Sequence, residues 1–465
     1  MVIPIKLIFM EKIKVNKKIK IQGWIRTRRS SKIGISFLNI YDGSCIHTIQ
    51  VIAHSSIKNY STDVLCLTAG CSISIIGILV LSKGKSQKYE IEAQSITVLG
   101  WVNNPKKYPI SSKNHTTQYL REVSHLRART NVIGSICRIR NTLSFELHNF
   151  FFKNEYYWIP TPIITSIDTE GSGAMFRVST LDFKNIPKDV HKNVNFKEDF
   201  FGKESFLTVS GQLTLESYAC AISKAYTFGP TFRAENSNTS RHLSEFWMVE
   251  VEQSFSNLND IIKLSENIIK YIIKKVLENN ADDIYFLEKF SKKNLFKKLT
   301  YCIENHFLQI DYIDAIEILK KSNQFKTDNI CFGIDLSSLH EKYLVENHFN
   351  NPVIITNYPK LLKPFYMRIN KDKKTVAAMD ILFPEIGEII GGSQREERIK
   401  ILDQRINECG LNKKDYKWYR DLRYYGTVPH SGFGLGFERL MSYVTGMSNV
   451  KDLIPFPRTV KNSSF

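Results

Sequence analysis

The 465-residue chain contains neither GxGxxG nor GxxxxGK[ST], so no Rossmann or P-loop phosphate cradle is supported. Any nucleotide chemistry here needs another kind of site. Its eight cysteines include no CxxC pair, the closest two being Cys66 and Cys71. No Cys/His group has zinc-ligand spacing, which argues against a structural zinc and predicts free thiols in a reducing cytoplasm. No apolar run approaches the length that crosses a bilayer. "MVIPIKLIFM" is apolar but short, and its cationic stretch follows it, so it does not read as a signal peptide. There are no repeats and no low-complexity tract.

Acidic residues are scarce at the front of the chain. Residues 1–110 hold 16 Lys and Arg against 5 Asp and Glu, while the whole chain carries +18. A basic N-terminal unit points to a polyanion, nucleic acid first. The overall abundance of Lys, Ile and Asn is an alternative source of that excess. A hydrophobic fraction of 43% and a charged fraction of 24% are globular values. The length predicts two or three domains.

Residues 1–100 read as short β runs broken by Gly, Asn and Ser. "KIKIQGWIRTRR", "GISFLNIYD", "CIHTIQVIA", "SISIIGILVL" and "YEIEAQSITVLG" make five strands, which fit an OB-fold barrel. Residues 101–130, with Pro105 and Pro109, read as a linker or hinge. From Asn131, Ile136, Ile139, Leu143, Leu147 and Phe150 recur at helical spacing. "WIPTPIITS" then breaks the helix into an extended edge segment. "DIIKLSENIIKYIIKKVL" is a second amphipathic helix. Residues 280–330 are Lys/Asn-rich and weakly patterned, and read as an insertion with one helix near "DYIDAIEILKK". Residues 131–465 together predict an α+β domain, an antiparallel sheet flanked by helices.

Four stretches carry possible chemistry. In "GPTFRAENSNTSRHLSEFWMVEVE", period-two alternation puts Phe246, Met248, Glu250 and Glu252 on one face of the return strand. Arg233 and Glu235 share a face of the outgoing one. Such a face is either a solvated ladder of ion pairs or a ligand floor, with a guanidinium for phosphate and a ring for a base. "AAMDILFPEIGEIIGGSQREER" offers Asp380 and Glu388 as Mg²⁺ ligands or as solvated loop acids. In "GTVPHSGFGLGFERL", Gly432, Gly434 and Gly436 alternate, a pattern that suits a strand only when something bulky lies against it. Arg439 follows, as a planar cation for an adenine or as a surface residue. In "SFLTVSGQLTLES", Ser210, Gly211 and Gln212 interrupt an apolar run, as polar ligands or as a helix cap.

Together these stretches resemble the class II aminoacyl-tRNA synthetases along essentially the whole chain. Residues 131–166, 226–255 and 426–446 are similar to motifs 1, 2 and 3. "GWIRTRR…ISFLNIYDGS" resembles the anticodon-binding domain of the aspartate, asparagine and lysine subclass. "TFGPTFRAENSNTSRHLSEFWMVE" and the terminal "IPFPRTVKNSSF" are similar to bacterial asparaginyl-tRNA synthetases.

The resemblance implies catalytic roles for Arg233, Glu235 and Arg439. It implies an ATP site of Arg233, Glu235, His242, Phe246, Asp380, Glu388, Gly436 and Arg439, with Mg²⁺ on Asp380 and Glu388. Glu170, Ser210, Gln212, Glu250 and Arg395 would hold the amino acid, and Arg29, Phe37 and Gln50 the anticodon of tRNA(Asn). A homodimer through motif 1, a cytoplasmic setting and no membrane are implied as well.

Leu215 stands where aspartate enzymes of the subclass carry a lysine, and Glu250 where they carry an aspartate. An aspartate side chain would lose a cation and meet an anion, whereas an amide can donate to Glu250 and accept from Arg395. L-asparagine is therefore the expected substrate. An aspartyl enzyme and a tRNA-binding paralogue without charging activity remain as alternatives.

Overall fold

The structure, a computed structural model, describes residues 1–84, 87–110, 115–169, 174–326 and 329–465. The chain divides into two compact units. One comprises residues 1–140 with 280–290 and 465, and the other residues 141–279 with 291–464.

In the first unit, α1 (Ile5–Phe9) precedes the barrel strands β1 (Lys18–Ser30), β2 (Ile35–Tyr41), β3 (Ile49–His54), β4 (Ser72–Leu81) and β5 (Tyr89–Gly100). They close in the order β1-β2-β3-β5-β4, which leaves no free sheet edge. Inward residues such as Ile19, Ile21, Leu38, Ile40, Val51, Ile73, Ile75 and Ile91 alternate with polar outward ones and fill the barrel. The apolar N-terminal run is part of this core, through Ile5 and Ile8 of α1. The linker segment contains α2 (Thr117–Glu122) and α3 (Ser124–Arg127), which bury Leu120 and Arg127. Helix α4 (Asn131–Lys153) starts at Asn131, as its apolar spacing predicts.

The second unit is built on an eight-stranded sheet. Its elements follow in order: β6 (Tyr157–Trp158), β7 (Ile164–Thr165), β8 (Arg177–Val178), β9 (Ser205–Leu207), α5 (Gln212–Ile222), β10 (Lys224–Phe232) and β11 (Glu245–Ser254). Then come α6 (Leu258–Asn279), α7 (Ala281–Ser291, nearly all of it in the first unit), α8 (Leu295–Glu304), β12 (Leu308–Asp311), α9 (Tyr312–Lys321) and α10 (Ser338–Lys342). The rest are β13 (Val353–Thr356), β14 (Ala378–Phe383), β15 (Gly387–Gln394), α11 (Ile399–Glu408), α12 (Lys417–Tyr424), β16 (His430–Gly436) and α13 (Phe437–Thr445).

The sheet runs β12-β13-β14-β15-β16-β11-β10-β6, antiparallel except for its two outermost pairs. Strands β7, β9 and β8 form a separate small sheet. In α6, Ile261, Ile262, Ser265, Ile268, Ile269, Ile272, Ile273 and Val276 are buried, the stripe of a helix laid on a sheet. Residues 280–330 depart from the expected insertion with one helix. Among the described residues they form three α-helices and a short 3-10 turn, and β12 is hydrogen-bonded into the main sheet beside β13. Apolar side chains of α9 join the core of the second unit. Weak patterning arose because these elements are short and the edge strand is half exposed.

Candidate active site

The floor is set by strand register. Met248, Glu250 and Glu252 on β11 lie opposite Gly436, Gly434 and Gly432 on β16. The alternating glycines thus face the bulky residues that the sequence pattern demands. A Cβ at Gly434 would stand 2.9 Å from the Met248 methyl, and one at Gly432 would overlap the Val251 carbonyl and the Glu252 carboxylate.

Two cavities open on this floor. One, of about 170 Å³, is lined by Arg233, Glu235, His242, Phe246, Glu388, Gly436 and Arg439, seven of the eight residues expected around ATP. The Arg233 guanidinium lies over the Phe246 ring, 5.5 Å from its centroid, and 4.0 Å from Glu235. His242 Nδ1 is 2.5 Å from the Thr239 hydroxyl, and its Nε2 is 3.9 Å from Glu235. Arg439, in the first turn of α13, donates to the Glu388 carbonyl at 2.9 Å and lies 3.4 Å from its carboxylate. The cavity is lined by the Phe246 ring, three arginines (Arg233, Arg241 and Arg439) and a glycine strip, which suits a planar base joined to phosphates.

The second cavity, of about 690 Å³, shares Arg233, Met248, Glu388 and Gly434 with the first and is further lined by Ser210, Gln212, Glu250 and Asp380. Glu250 is buried, accepts a hydrogen bond from the Gly211 N–H at 2.8 Å, and is bonded by the Ser210 hydroxyl. Burial pushes its carboxyl up, against the pull of those two donors. Gly211 caps α5, and the Ser210 hydroxyl bonds Glu250.

Asp380 and Glu388 converge through a bulge. The β14–β15 register shifts between Ile381 and Leu382, leaving Ile389 as the extra residue. That slip turns Glu388 onto the face of Asp380 and Gly391. A Cβ at Gly391 would lie 2.9 Å from Glu388 Oε1 and 3.4 Å from Asp380 Oδ1. Burial and Glu388 raise the Asp380 carboxyl, while Lys363, 2.6 Å away, opposes the rise. Burial alone would raise Glu388, but Arg439, Lys363 and Arg233 hold it below its ordinary range.

Glu341 and Lys363 escaped the sequence reading. Glu341, on α10, faces the same acid pair, and burial together with Glu388 and Asp380 pushes its carboxyl up to about 7. Neither residue lies in a motif-like stretch, so only the fold brings them here.

Arg395 is placed differently from expectation. It is 1% exposed and does not line the cavity. Its guanidinium forks onto Glu252, with Nε 3.2 Å from both carboxylate oxygens, and Nη1 donates to Ser393 at 2.7 Å. Burial and Glu216 push the Glu252 carboxyl up, but the guanidinium keeps its proton and the two stand as an ion pair. Behind them, Glu216 accepts from Arg423 at 3.0 Å, from Tyr419 at 2.7 Å and from His430 at 2.9 Å. Leu215 points into a small apolar cluster with Ala219 and Ala225, not toward the cavity. Glu170 lies outside the described residues.

On the barrel, Arg29 pairs with Phe37, and Phe37 pairs with Ile52, two residues from Gln50. Cross-strand partners share a face, so Arg29, Phe37 and Gln50 lie on one outer surface. Gln50 donates to Glu90 at 2.9 Å, which fixes its amide.

The family described as "tRNA synthetases class II (D, K and N)" matches residues 116–460, and an OB-fold nucleic acid binding domain matches residues 19–99. The chain is 61% identical over 463 residues to an asparagine–tRNA ligase of Buchnera aphidicola subsp. Acyrthosiphon pisum, covering 100% of this chain and 99% of that one. It is 57% identical over 464 residues to an asparagine–tRNA ligase of Escherichia coli O139:H28, covering 100% of both. The crystal structure of asparaginyl-tRNA synthetase from Pyrococcus horikoshii complexed with asparaginyl-adenylate superimposes with a TM-score of 0.83. That match is at 31% identity and covers 96% of this chain and 95% of that one.

Proposed function

The chain belongs to the class II tRNA synthetases of the D, K and N group, and from that premise we propose that it ligates L-asparagine to tRNA(Asn). The reaction consumes ATP, passes through an asparaginyl-adenylate and releases pyrophosphate and AMP.

One observation carries the choice of amino acid. The pole of the larger cavity presents the Glu250 carboxylate, while Arg395 behind it is already forked onto Glu252. A side-chain amide can donate to Glu250. A side-chain carboxylate would place a second buried anion against it, at a cost of several kcal/mol. The relatives' names agree with this reading.

In the first step the asparagine carboxylate attacks the α-phosphorus, a new O–P bond forms, and the bond to the β-phosphate breaks. In the second, the terminal ribose hydroxyl of the tRNA attacks the activated carbonyl and AMP departs with the electron pair. No protein nucleophile takes part. Arg233 reaches both cavities, so its guanidinium is the group suited to the charge that builds on the α-phosphate. Phe246 and Arg439 would hold the adenine between them, with Glu235 and His242 toward the turn of the hairpin.

Asp380 and Glu388 form a convergent oxygen pair over Gly391 and fit a hard cation. When bound there, Mg²⁺ would supply neutralising charge to the phosphates. Arg29, Phe37 and Gln50 would read the anticodon, and Glu170 would complete the amino-acid site. The exposed rings of Phe145 and Phe152 on α4, with Tyr157 and Trp158 on β6, support a homodimer through this region. Eight free cysteines suit the cytoplasm.

The test is ATP–pyrophosphate exchange with asparagine and with aspartate, followed by tRNA charging. Exchange with asparagine and charging of tRNA(Asn) are expected. Exchange with aspartate alone would overturn the substrate, and exchange with neither would favour a binding paralogue.

A further inference from the structure

A cavity of about 520 Å³ lies within the first unit, and Arg29, Phe37 and Gln50 are not among the residues that line it. Arg26, Arg129, Trp24, Tyr41 and Tyr108 line it, and no Asp or Glu lies in its wall among the described residues. The Arg26 guanidinium stands 4.2 Å from the centre of the Tyr41 ring. That of Arg129 lies between Trp24 and Tyr108, at 5.6 and 5.9 Å. Each cation thus has a flat face against a ring, which leaves its N–H edges to bond. Arg26 donates only weakly to Asn131, at 3.3 Å, and Arg129 to the Tyr108 hydroxyl at 3.2 Å.

Neither arginine forms an ion pair among the described residues, although burial and the neighbouring Arg129 both disfavour the charge on Arg26. Two like charges set half-buried without a carboxylate are unfavourable alone and strongly favourable around an anion. Guanidinium edges presented by rigid stacks suit the tetrahedral array of oxygens on a phosphate.

We propose that this cavity binds a phosphate group, through the edges of Arg26 and Arg129. A tRNA backbone phosphate and a free phosphate share that chemistry. The tRNA source rests on the function proposed above, whereas the free source does not.

Arg26→Met and Arg129→Met, alone and together in the full-length protein, test it. Neither residue lines a catalytic cavity, so pyrophosphate exchange with asparagine should be unchanged. With tRNA as the source, the double variant raises the KM for tRNA about tenfold and lowers the salt slope of tRNA binding by about two. With a free source, inorganic phosphate raises the melting temperature of the parent and not of the variant, while the KM for tRNA stays put. A double variant that matches the parent in both measurements overturns the proposal. If the variants do not fold, the Nε–Hε NMR signals of Arg26 and Arg129 in the unaltered protein decide. Signals that move with neither inorganic phosphate nor tRNA overturn it equally. A loss of exchange in the parent would instead count against the proposed function.

Discussion

The Gly211 N–H donates to the Glu250 carboxylate across 2.8 Å, so the cap of α5 and the middle of β11 share one anion. Glu250→Gln keeps the shape and removes the charge that an amide would donate to. Asparagine-dependent exchange should lose about 10- to 100-fold in kcat/KM, the worth of one hydrogen bond to a charged group. An unchanged kcat/KM would remove Glu250 from the amino-acid site.

Arg233→Ala should lower adenylate formation by about 100- to 1000-fold, the usual cost of one transition-state donor. The residue lies beyond the end of β10 and is not part of a core cluster, so the urea midpoint should stay near that of the parent. Near-normal exchange in this variant would end its assigned role.

The two glycines Gly432 and Gly229 make a matched pair of tests. A Cβ at Gly432 would overlap the Val251 carbonyl and the Glu252 carboxylate, while one at Gly229 meets nothing within 4 Å. Gly432→Ala should cost about 1–3 kcal/mol in urea unfolding, through forced displacement of the strand. Gly229→Ala should be near neutral. Equal stabilities would contradict the close approach of β11 and β16.

Burial pushes the Cys302 thiol up to about 12 from an ordinary 9.0, and its hydrogen-bonded neighbour Tyr443 rises with it. The unfolded chain ionises first, so the fold is favoured below pH 9 and loses that advantage as pH climbs toward 12. Urea melts should show stability falling above pH 9, with a shallower fall in Cys302→Ala. A thiol reagent should label Cys302 only on unfolding, well after the exposed Cys66 and Cys409.

Much of this architecture is legible in the chain because its patterns are local. The five barrel strands begin and end close to their apolar runs, and α4 opens at Asn131. The shared face of Phe246, Met248, Glu250 and Glu252 follows from period two alone. What escaped is what depends on partners distant in sequence. Ile389 as a bulge residue is invisible without β14, although it decides where Glu388 points. Glu341 and Lys363 reach the acid pair from outside any motif. Arg395 reads as a substrate contact from its position, yet Glu252 holds it behind the wall. The weak edge strand β12 hid within 280–330 because an exposed strand need not alternate.

Arg233, Met248, Glu388 and Gly434 border both catalytic cavities. Whatever occupies one cavity therefore acts on atoms that shape the other. Linkage makes such an effect mutual: if ATP strengthens asparagine binding by some factor, asparagine must strengthen ATP binding by the same factor. The shared wall thus ties the two affinities into a single cooperative quantity, which calorimetry with each ligand alone and then with a non-reactive partner can measure.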